Sequence, residues 1–378
     1  MAARTLSMAF AATAGTYNNA LGKTLRWVNR AERNSENTSR EASIQRPRFI
    51  PNVHNLAAFG AILVALACAA LTGTGVQAAA PFPDKTVRII VPYGPGGAGD
   101  LTIRLFADKL SQDLKQPFVI ENRPGAGGIA AMRTVLDAPA DGYTLGEMGN
   151  GQTISASLFQ HPSYDVLKDF APISVAASFE MLLAVPPTSP YKTVADIVAA
   201  ARNAPGKLNL GAINPGSTQN LSAYLFQQVS GAQFTVITYR TTPDLVTALL
   251  RGDVDLGFDY YAGFGTTIGP DKLRIIATSG EERDPLLKDV PTVKESGLPD
   301  YVVSSWNGLA APAATPADVI NTLATAIKKA AAEPDLQQRA MRLGLQARAS
   351  TPAWMHDRMA QDIAKWRAVI DKAGIPKQ

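Results

Sequence analysis

Cysteine and histidine are scarce in this 378-residue sequence, which contains one Cys and three His. Cys68 lies in an apolar run near the amino terminus, so the chain beyond it can form neither a disulfide nor a thiolate metal site. His161 and His356 follow that run, and neither has a partner at the spacing of metal ligands. The sequence also contains no GxSxG or HExxH motif. We therefore expect no catalytic residue and no bound metal.

The apolar run is short for a membrane span. It extends over Leu56–Leu71, whereas about 20 apolar residues are needed to cross a bilayer. Two arginines precede it, and small residues ending in Ala78 follow it, which is typical of a cleaved export signal. The sequence therefore predicts a periplasmic protein whose signal peptide is cleaved after Ala78. A retained membrane anchor and a lipidated Cys68 are the alternatives.

The charge distribution gives no support for a nucleic-acid or membrane-surface partner. The first 78 residues contain 8 of the 36 Lys and Arg and 3 of the 32 Asp and Glu, so the rest carries 28 basic and 29 acidic residues. The net charge of +4 thus belongs to the amino-terminal segment. Residues 1–45 are polar and match neither a core helix nor a strand, so their role and the true translation start stay open.

Beyond residue 78, short strands rich in Val and Ile alternate with helical stretches. The strand patterns include TVRIIVPY, ISVAAS, MLLAVPP and VDLGFDY, and the helical patterns include LTIRLFADKLSQDL and TQNLSAYLFQQVSG. Alternation of this kind indicates parallel strands with crossover helices. A chain of about 300 residues is long enough for two such α/β domains.

One turn carries a motif that fits two kinds of protein. Gly94, Gly96 and Gly99 spell GxGxxG between a strand and a helix, and Glu121 ends the next strand, as in a dinucleotide-dependent oxidoreductase. The same turn would aim backbone N–H groups at any anion, so phosphate and carboxylate are both open. Asp100 would put a negative charge beside a pyrophosphate. Beside a smaller ligand it could cap the helix or accept a hydrogen bond from a ligand hydroxyl or ammonium.

Several longer stretches resemble a single family, in order along the chain. They are PYGPGGAGD, ENRPGAGG, ADGYTLGEMGNG, DVPTVKESGLP and AKWRAVIDKAGI. In these segments the chain resembles the substrate-binding proteins of tripartite tricarboxylate transporters, also called the Bug (Bordetella uptake gene) family. The resemblance covers nearly all of residues 83–377.

The resemblance implies an α/β type II periplasmic binding fold, in which two parallel-sheet lobes are joined by two crossing strands. A small carboxylate would be held between the lobes and passed to the permease subunits of a tripartite tricarboxylate transporter. Crossings near 182–185 and 303–306 would make the first lobe discontinuous. The expected domains are an extension with the export signal at 1–78, lobe 1 at 79–184 and 304–378, and lobe 2 at 185–303.

The resemblance also implies a set of ligand-binding residues from both lobes. Lobe 1 would contribute Tyr93, Gly94, Gly96, Gly97, Asp100, Asn150 and Gly151. Lobe 2 would contribute Ser217, Thr218, Asn220, Tyr239, Arg240 and Asp259. Asp259 also ends a strand pattern, and ligands of open parallel sheets bind at the carboxyl ends of strands.

The chain departs from the family pattern in the second lobe. Asn220 stands where the family has a histidine, and Pro215 stiffens the loop before it. Thr241, Thr242 and Pro243 replace a turn that the family leaves open with glycine. The added methyl groups and ring predict a narrower site, which favours a compact or planar carboxylate over a flexible tricarboxylate.

Three functions remain open at this point. The first is a transport-coupled carboxylate receptor that acts as a monomer, without a cofactor and without enzyme activity. The second is an orphan or sensory receptor that reports to a sensor protein, and it shares its fold and ligand with the first. The third is a dinucleotide-dependent oxidoreductase, which export from the cytoplasm disfavours.

We predict that the exported protein begins at Ala79. Val76 and Ala78 satisfy the small-residue requirement of signal peptidase, and Pro81 would hinder cleavage after Ala80. Intact-mass analysis of the exported protein measures this, and a species that retains a lipidated cysteine would contradict it.

Overall fold

The structure is a computed structural model that describes residues 81–125 and 128–378. The predicted export signal, its cleavage site and Cys68 lie outside these residues. No helix within the two described ranges is both long enough and apolar enough to cross a membrane.

Strands and helices alternate along most of the described chain. The strands are β1 (Val87–Val91), β2 (Phe118–Asn122), β3 (Thr144–Gly149), β4 (Phe170–Val185), β5 (Asn209–Ile213), β6 (Thr235–Tyr239), β7 (Leu256–Tyr260), β8 (Arg274–Thr278), β9 (Ser304–Pro312) and β10 (Gln346–Ala347). The helices are α1 (Ala98–Leu114), α2 (Ile129–Leu136), α3 (Asn150–Leu158), α4 (Val194–Asn203), α5 (Thr218–Ser230), α6 (Thr242–Arg251), α7 (Tyr261–Phe264), α8 (Ala317–Ala331), α9 (Pro334–Arg342) and α10 (Pro352–Ala373).

The strands form one ten-stranded sheet whose main order is β2-β1-β3-β9-β4-β7-β5-β6. At one end β1, β2 and β3 are parallel, and we call this end, with β9 and the first part of β4, the first half-sheet. At the other end β5, β6 and β7 are parallel, and we call this end, with β8 and the last part of β4, the second half-sheet. Because β9 and β4 run antiparallel to their neighbours, each half-sheet is mixed and not purely parallel.

β4 belongs to both half-sheets and joins two segments that the sequence patterns predict as separate strands. Its residues 170–180 pair with β9, and its residues 181–185 pair with β7 or β8. Glu180, the polar residue that interrupts the apolar pattern, is buried opposite Ser304 of β9, so the strand continues through it. The chain returns from the second half-sheet at Val303, whose N–H donates to the Ser279 carbonyl (2.7 Å). Two crossings therefore connect the half-sheets, while the limits of the two lobes stay a prediction.

Helices cover both faces of each half-sheet and divide the apolar core. In the first half-sheet, α1, α8 and α9 pack on one face, and α2 packs with the start of α10 on the other. In the second, α4 and α5 pack on one face with the end of α10, and α6 packs on the opposite face. The long carboxyl-terminal helix α10 thus contributes to the cores of both half-sheets.

A buried hydrogen-bond group attaches α10 to the returning crossing. Asp362 is 5% exposed and accepts from the Trp306 indole N–H (2.7 Å) and from Arg358 Nε (2.9 Å). Arg358 also donates to the carbonyl of Ser304 (2.7 Å). One carboxylate thus orients both the helix cation and the aromatic ring at the start of β9.

We predict that Asp362→Ala destabilises the protein by about 2–4 kcal/mol, because it leaves a buried indole N–H and a partly buried guanidinium without an acceptor. Chemical denaturation measures this change. Asp357→Ala is the matched control, since Asp357 is exposed on the same helix, and it is expected to change the free energy of unfolding by less than about 0.5 kcal/mol. Equal losses in the two variants would contradict the prediction.

Candidate functional site

A cavity of about 570 Å³ lies between the two half-sheets, at the carboxyl ends of their parallel strands. The loops after β1, β3, β5, β6 and β7 contribute its walls, together with parts of β4 and β9. This is the position at which open α/β sheets bind ligands.

The structure brings most of the sequence-predicted site residues together around this cavity. Those that line it are Tyr93, Gly96, Gly97, Asn150, Gly151, Ser217, Thr218 and Asp259. The other five lie outside the lining: Gly94 and Arg240 are exposed, Tyr239 is half-buried, and Asp100 and Asn220 are buried behind the cavity wall.

The sequence did not predict the part of the cavity wall that β4 and β9 provide. The additional lining residues include Phe179, Gln219, Tyr260, Ser305, Trp306 and Asn307, and Thr242 and Pro243 also line the cavity. A signal for two of them exists in the sequence, since Ser305 and Asn307 alternate on one side of β9, in which Ser304 is the remaining polar residue. Buried polar residues at this spacing indicate a functional face of a strand.

The first loop of the site is shaped by Asp100. Gly96 has φ of +93°, a conformation that favours glycine, and its N–H donates to Asp100 Oδ2 (2.8 Å). Arg104 Nε and Asn122 Nδ2 donate to the same carboxylate at 2.8 Å each. Burial acts to raise the pKa of Asp100, but these hydrogen bonds outweigh it, so the pKa is lowered. With its oxygens occupied, Asp100 has the contacts of a residue that holds the loop.

The second loop repeats this geometry. Gly216 has φ of +76°, and its N–H donates to Asn220 Oδ1 (3.0 Å). In both loops, therefore, the side chain that lies four residues after the glycine accepts a hydrogen bond from the glycine N–H: Asp100 for Gly96 and Asn220 for Gly216. The two loops read PGGAGD and PGSTQN, a local repeat that the letters alone do not make evident. They differ at the helix cap, where Ser217 Oγ accepts from the Asn220 N–H (3.1 Å) but Gly97 has no side chain.

Glycine at two further positions allows the Tyr93 ring to lie between the starts of α1 and α3. A Cβ at Gly99 would lie 3.0 Å from the Tyr93 ring, and a Cβ at Gly151 would lie 2.6 Å from its hydroxyl. The ring therefore fixes the distance between two helix amino termini that face the cavity.

The electrostatic character of the cavity comes from helix ends and not from cations. Among the described residues that line it, none is Lys, Arg or His. α1, α3, α5 and α6 all begin at its wall, and each helix amino terminus carries a partial positive charge. The cavity can therefore attract an anion through backbone N–H groups alone.

One carboxylate, Asp259, faces the cavity from the second half-sheet. It is 2% exposed and accepts from Gln219 Nε2 (3.1 Å), from the Tyr260 N–H (2.8 Å) and from the Thr242 hydroxyl. Burial raises the pKa of Asp259, although these hydrogen bonds favour its ionised form. The arrangement places an acceptor of hydrogen bonds on the wall opposite α1.

A second acid lies behind the cavity wall. Glu147 of β3 is fully buried, and its Oε1 accepts from the side-chain amide of Asn307, which lines the cavity. Burial raises the pKa of Glu147 to about 8, against the smaller lowering effect of the Asn307 hydrogen bond. The carboxyl group is thus neutral over most of the physiological range.

The features of a dinucleotide or metal site are not assembled here. Glu121 is ion-paired with Arg88 and Arg123 and does not line the cavity. Across residues 81–125 and 128–378, no three His, Cys, Asp or Glu side chains group as metal ligands would.

Comparison with known sequences defines the class of protein. A sequence model described as "Tripartite tricarboxylate transporter family receptor" matches residues 102–375. The chain therefore belongs to the tripartite tricarboxylate transporter receptor family, a family of periplasmic solute-binding receptors and not of enzymes. The resemblance of its motifs to this family is confirmed.

Three solved structures with this fold are similar in sequence as well. "R. palustris Rpa4515 with adipate" is 32% identical with a TM-score of 0.70, covering 78% of this chain and 99% of its own. Periplasmic binding protein BugD is 27% identical with a TM-score of 0.68, covering 79% and 100%. MatC (Rpa3494) from Rhodopseudomonas palustris with bound malate is 30% identical with a TM-score of 0.65, covering 76% and 100%. These similarities confirm the predicted α/β periplasmic binding fold.

We predict that affinity for a carboxylate falls about tenfold as the pH rises through about 8. Below this pH Glu147 is neutral, and above it the ionised group places a negative charge behind Asn307. A repulsion of about 1.4 kcal/mol, modest for two charges inside a protein, accounts for a tenfold change. Calorimetry from about pH 6.5 to 9.5 measures it, because simple carboxylates stay ionised throughout.

Two variants separate the effect of Glu147 from that of Glu180, a buried acid whose pKa is also raised. Glu147→Gln is expected to bind with the same affinity at both ends of this range. Glu180, whose pKa burial raises to about 7, does not line the cavity, so Glu180→Gln should keep the pH dependence. A flat profile in the parent protein would contradict the prediction.

Proposed function

We propose that this protein captures a small carboxylate between its two half-sheets and delivers it to the permease subunits of a tripartite tricarboxylate-type transporter. The observation that carries the proposal is the start of α1, which opens into the cavity at Gly97 without a side-chain cap. Relatives that hold adipate and malate support a carboxylate as the ligand class.

The start of α1 is suited to close approach by an anion. A Cβ built on Gly97 would meet no atom of the described residues within 4 Å, so this space belongs to the cavity. The first N–H groups of a helix lack intrahelical acceptors and point outward along its axis. A carboxylate placed there would accept from them and interact favourably with the helix dipole.

The ligand-binding residues that we propose are the predicted residues that line the cavity. Asp100 and Asn220 would act indirectly, by holding the Gly96 and Gly216 turns, and Arg240 would not contact the ligand. Of the three residues that replace the family's open turn, Thr242 and Pro243 line the cavity on the side of the second half-sheet, and Thr241 does not. This supports a compact or planar carboxylate over a flexible tricarboxylate.

The cellular setting follows from the family and the amino-terminal sequence. We propose export with cleavage after Ala78, action as a monomer, and no enzyme activity. An orphan or sensory receptor with the same ligand is the alternative, because the cavity is compatible with either partner.

We predict that substitution at Gly97 weakens ligand binding, and that the loss of affinity increases with the size of the new side chain. Its φ of −77° is accessible to any residue, so Gly97→Ala and Gly97→Val should fold normally. Charge-assisted hydrogen bonds contribute about 1.5–3 kcal/mol each, so losing one weakens binding about ten- to a hundredfold. Calorimetry with mono-, di- and tricarboxylates, including citrate, measures the effect after a thermal-shift screen has identified binders.

Ala314→Val, at an exposed position before α8, controls for an added side chain elsewhere. It should bind as the parent does. Unchanged affinity in Gly97→Val would contradict the placement of the carboxylate. Tighter binding of citrate than of every smaller acid would contradict the expected compact ligand, and retention of a dinucleotide by the purified protein would contradict the receptor function.

A further inference from the structure

One serine lies where three strands meet at the crossings between the half-sheets. One edge of β4 pairs with β9 as far as Glu180 and with β8 from Leu182 onward. Met181 lies between these two pairings, and Ser279, the residue that follows β8, is hydrogen-bonded to it. Ser279 is fully buried, as is Met181, and Val303 at the returning crossing is 1% exposed.

The hydroxyl of Ser279 takes the place of a backbone group in this junction. The Ser279 N–H donates to the Met181 carbonyl (2.9 Å), as in a regular antiparallel ladder, but the Ser279 carbonyl accepts from the Val303 N–H (2.7 Å). The side chain supplies the remaining bonds, since Ser279 Oγ accepts from the Met181 N–H (2.9 Å) and donates to the Val303 carbonyl (2.6 Å). Four hydrogen bonds of one residue therefore connect the two crossings.

Removal of this hydroxyl would take a partner from two buried backbone groups, the Met181 N–H and the Val303 carbonyl. Buried backbone groups are nearly always paired in folded proteins. A water molecule needs more room than one missing oxygen leaves, and a direct bond between the two groups requires the crossings to move together. The separation of the two crossings therefore depends on the hydroxyl.

The crossings carry part of the cavity wall. Two lining residues, Phe179 and Ser305, each lie two positions along the chain from a residue that is hydrogen-bonded to Ser279. Tyr260 of β7 connects them, because its ring packs against Phe179 with 4.9 Å between ring centroids and its hydroxyl lies 3.0 Å from Ser305 Oγ. Ser279 itself does not line the cavity, so it acts on a ligand only through these neighbours.

We infer that Ser279 is a positioning residue whose hydroxyl sets the placement of the two half-sheets relative to each other, and thereby the affinity for the ligand. The statement about affinity rests on the proposed function. The statement about placement does not, because it follows from the hydrogen bonds of Ser279 alone. Where the arrangement that binds is populated for only a fraction of the time, the apparent affinity is reduced by that fraction.

The distance between the half-sheets tests the inference without a ligand. The chain has no cysteine beyond Cys68, so Val119→Cys in β2 and Leu250→Cys in α6 provide two unique sites for spin labels on the exported protein. Both side chains are exposed, and neither residue lines the cavity. Ser279→Ala in this background is expected to shift or broaden the distance distribution from pulsed electron paramagnetic resonance by about 2 Å or more.

Ser174→Ala is the matched control. Ser174 is also fully buried in β4, and its Oγ accepts from the Ser350 N–H (2.9 Å), but neither residue lies at a crossing. This variant should lose stability in denaturation as Ser279→Ala does, without a change in the distance distribution. Ser279→Thr keeps the hydroxyl and should give the parent's distribution, and a shifted distribution in it would contradict the role of the hydroxyl even where Ser279→Ala did not fold.

Calorimetry at pH 7 with malate, the acid bound to one relative, measures the effect on affinity. Ser279→Ala is expected to bind about fivefold more weakly, which corresponds to about one fifth of the molecules in the parent's arrangement. Ser174→Ala should bind as the parent does. An unchanged distance distribution or affinity in Ser279→Ala, or equal changes in the two alanine variants, would overturn the inference. Failure of malate and of the wider carboxylate screen to bind would overturn the proposed function, and the distance measurement would then decide the inference.

Discussion

The site depends on β4, because this one strand is hydrogen-bonded into both half-sheets. In its last part the side chains alternate between two cores: Met181, Leu183 and Val185 pack with α4 and α5, while Leu182 and Ala184 pack with α6. Burial on both faces explains why this stretch reads as a continuous apolar run and not as an alternating pattern. The strands whose ends carry the binding loops are aligned through β4, either directly or through one or two intervening strands, so the spacing of those loops follows from its pairing.

The sequence was sufficient for the features that arise within short segments. The GPGGAGD turn precedes a helix as predicted, and the family motifs indicated both half-sheets and eight residues that line the cavity. The remaining features depend on contacts between distant segments. Asp100 and Asn220 turn back to accept from N–H groups four residues earlier, so helix-start residues expected at the ligand lie behind the wall. Ser305 and Asn307 alternate along their strand, but which elements their side of β9 faces becomes evident only when β9 is placed against β3 and β4.

The loops before α1 and α5, with the sequences PGGAGD and PGSTQN, share one backbone geometry but differ in what they present to the cavity. In both, a Pro-Gly turn with positive φ is held by the third residue of the following helix, so each helix amino terminus is rigidly placed. In the second half-sheet the Ser217 hydroxyl occupies one backbone N–H, and Gln219 reaches Asp259. In the first, Gly97 leaves the helix end open. The asymmetry gives the cavity a direction, with an anion-attracting end at α1 and an acceptor-rich end at Asp259.

The lack of basic side chains in the described cavity lining has a consequence for how such a site responds to its surroundings. Mobile ions screen exposed charges over about 8–10 Å at physiological ionic strength, and attraction that relies on surface Lys or Arg weakens as salt rises. Backbone N–H groups at a helix start inside a cavity are less exposed to those ions than a surface side chain is, and they carry no proton that a change of pH would remove. A receptor built this way gives up long-range steering of its ligand, because the field of a helix end decays within a short distance. In return, its hold on an anion depends less on surface charge when the ionic conditions outside the cytoplasm vary.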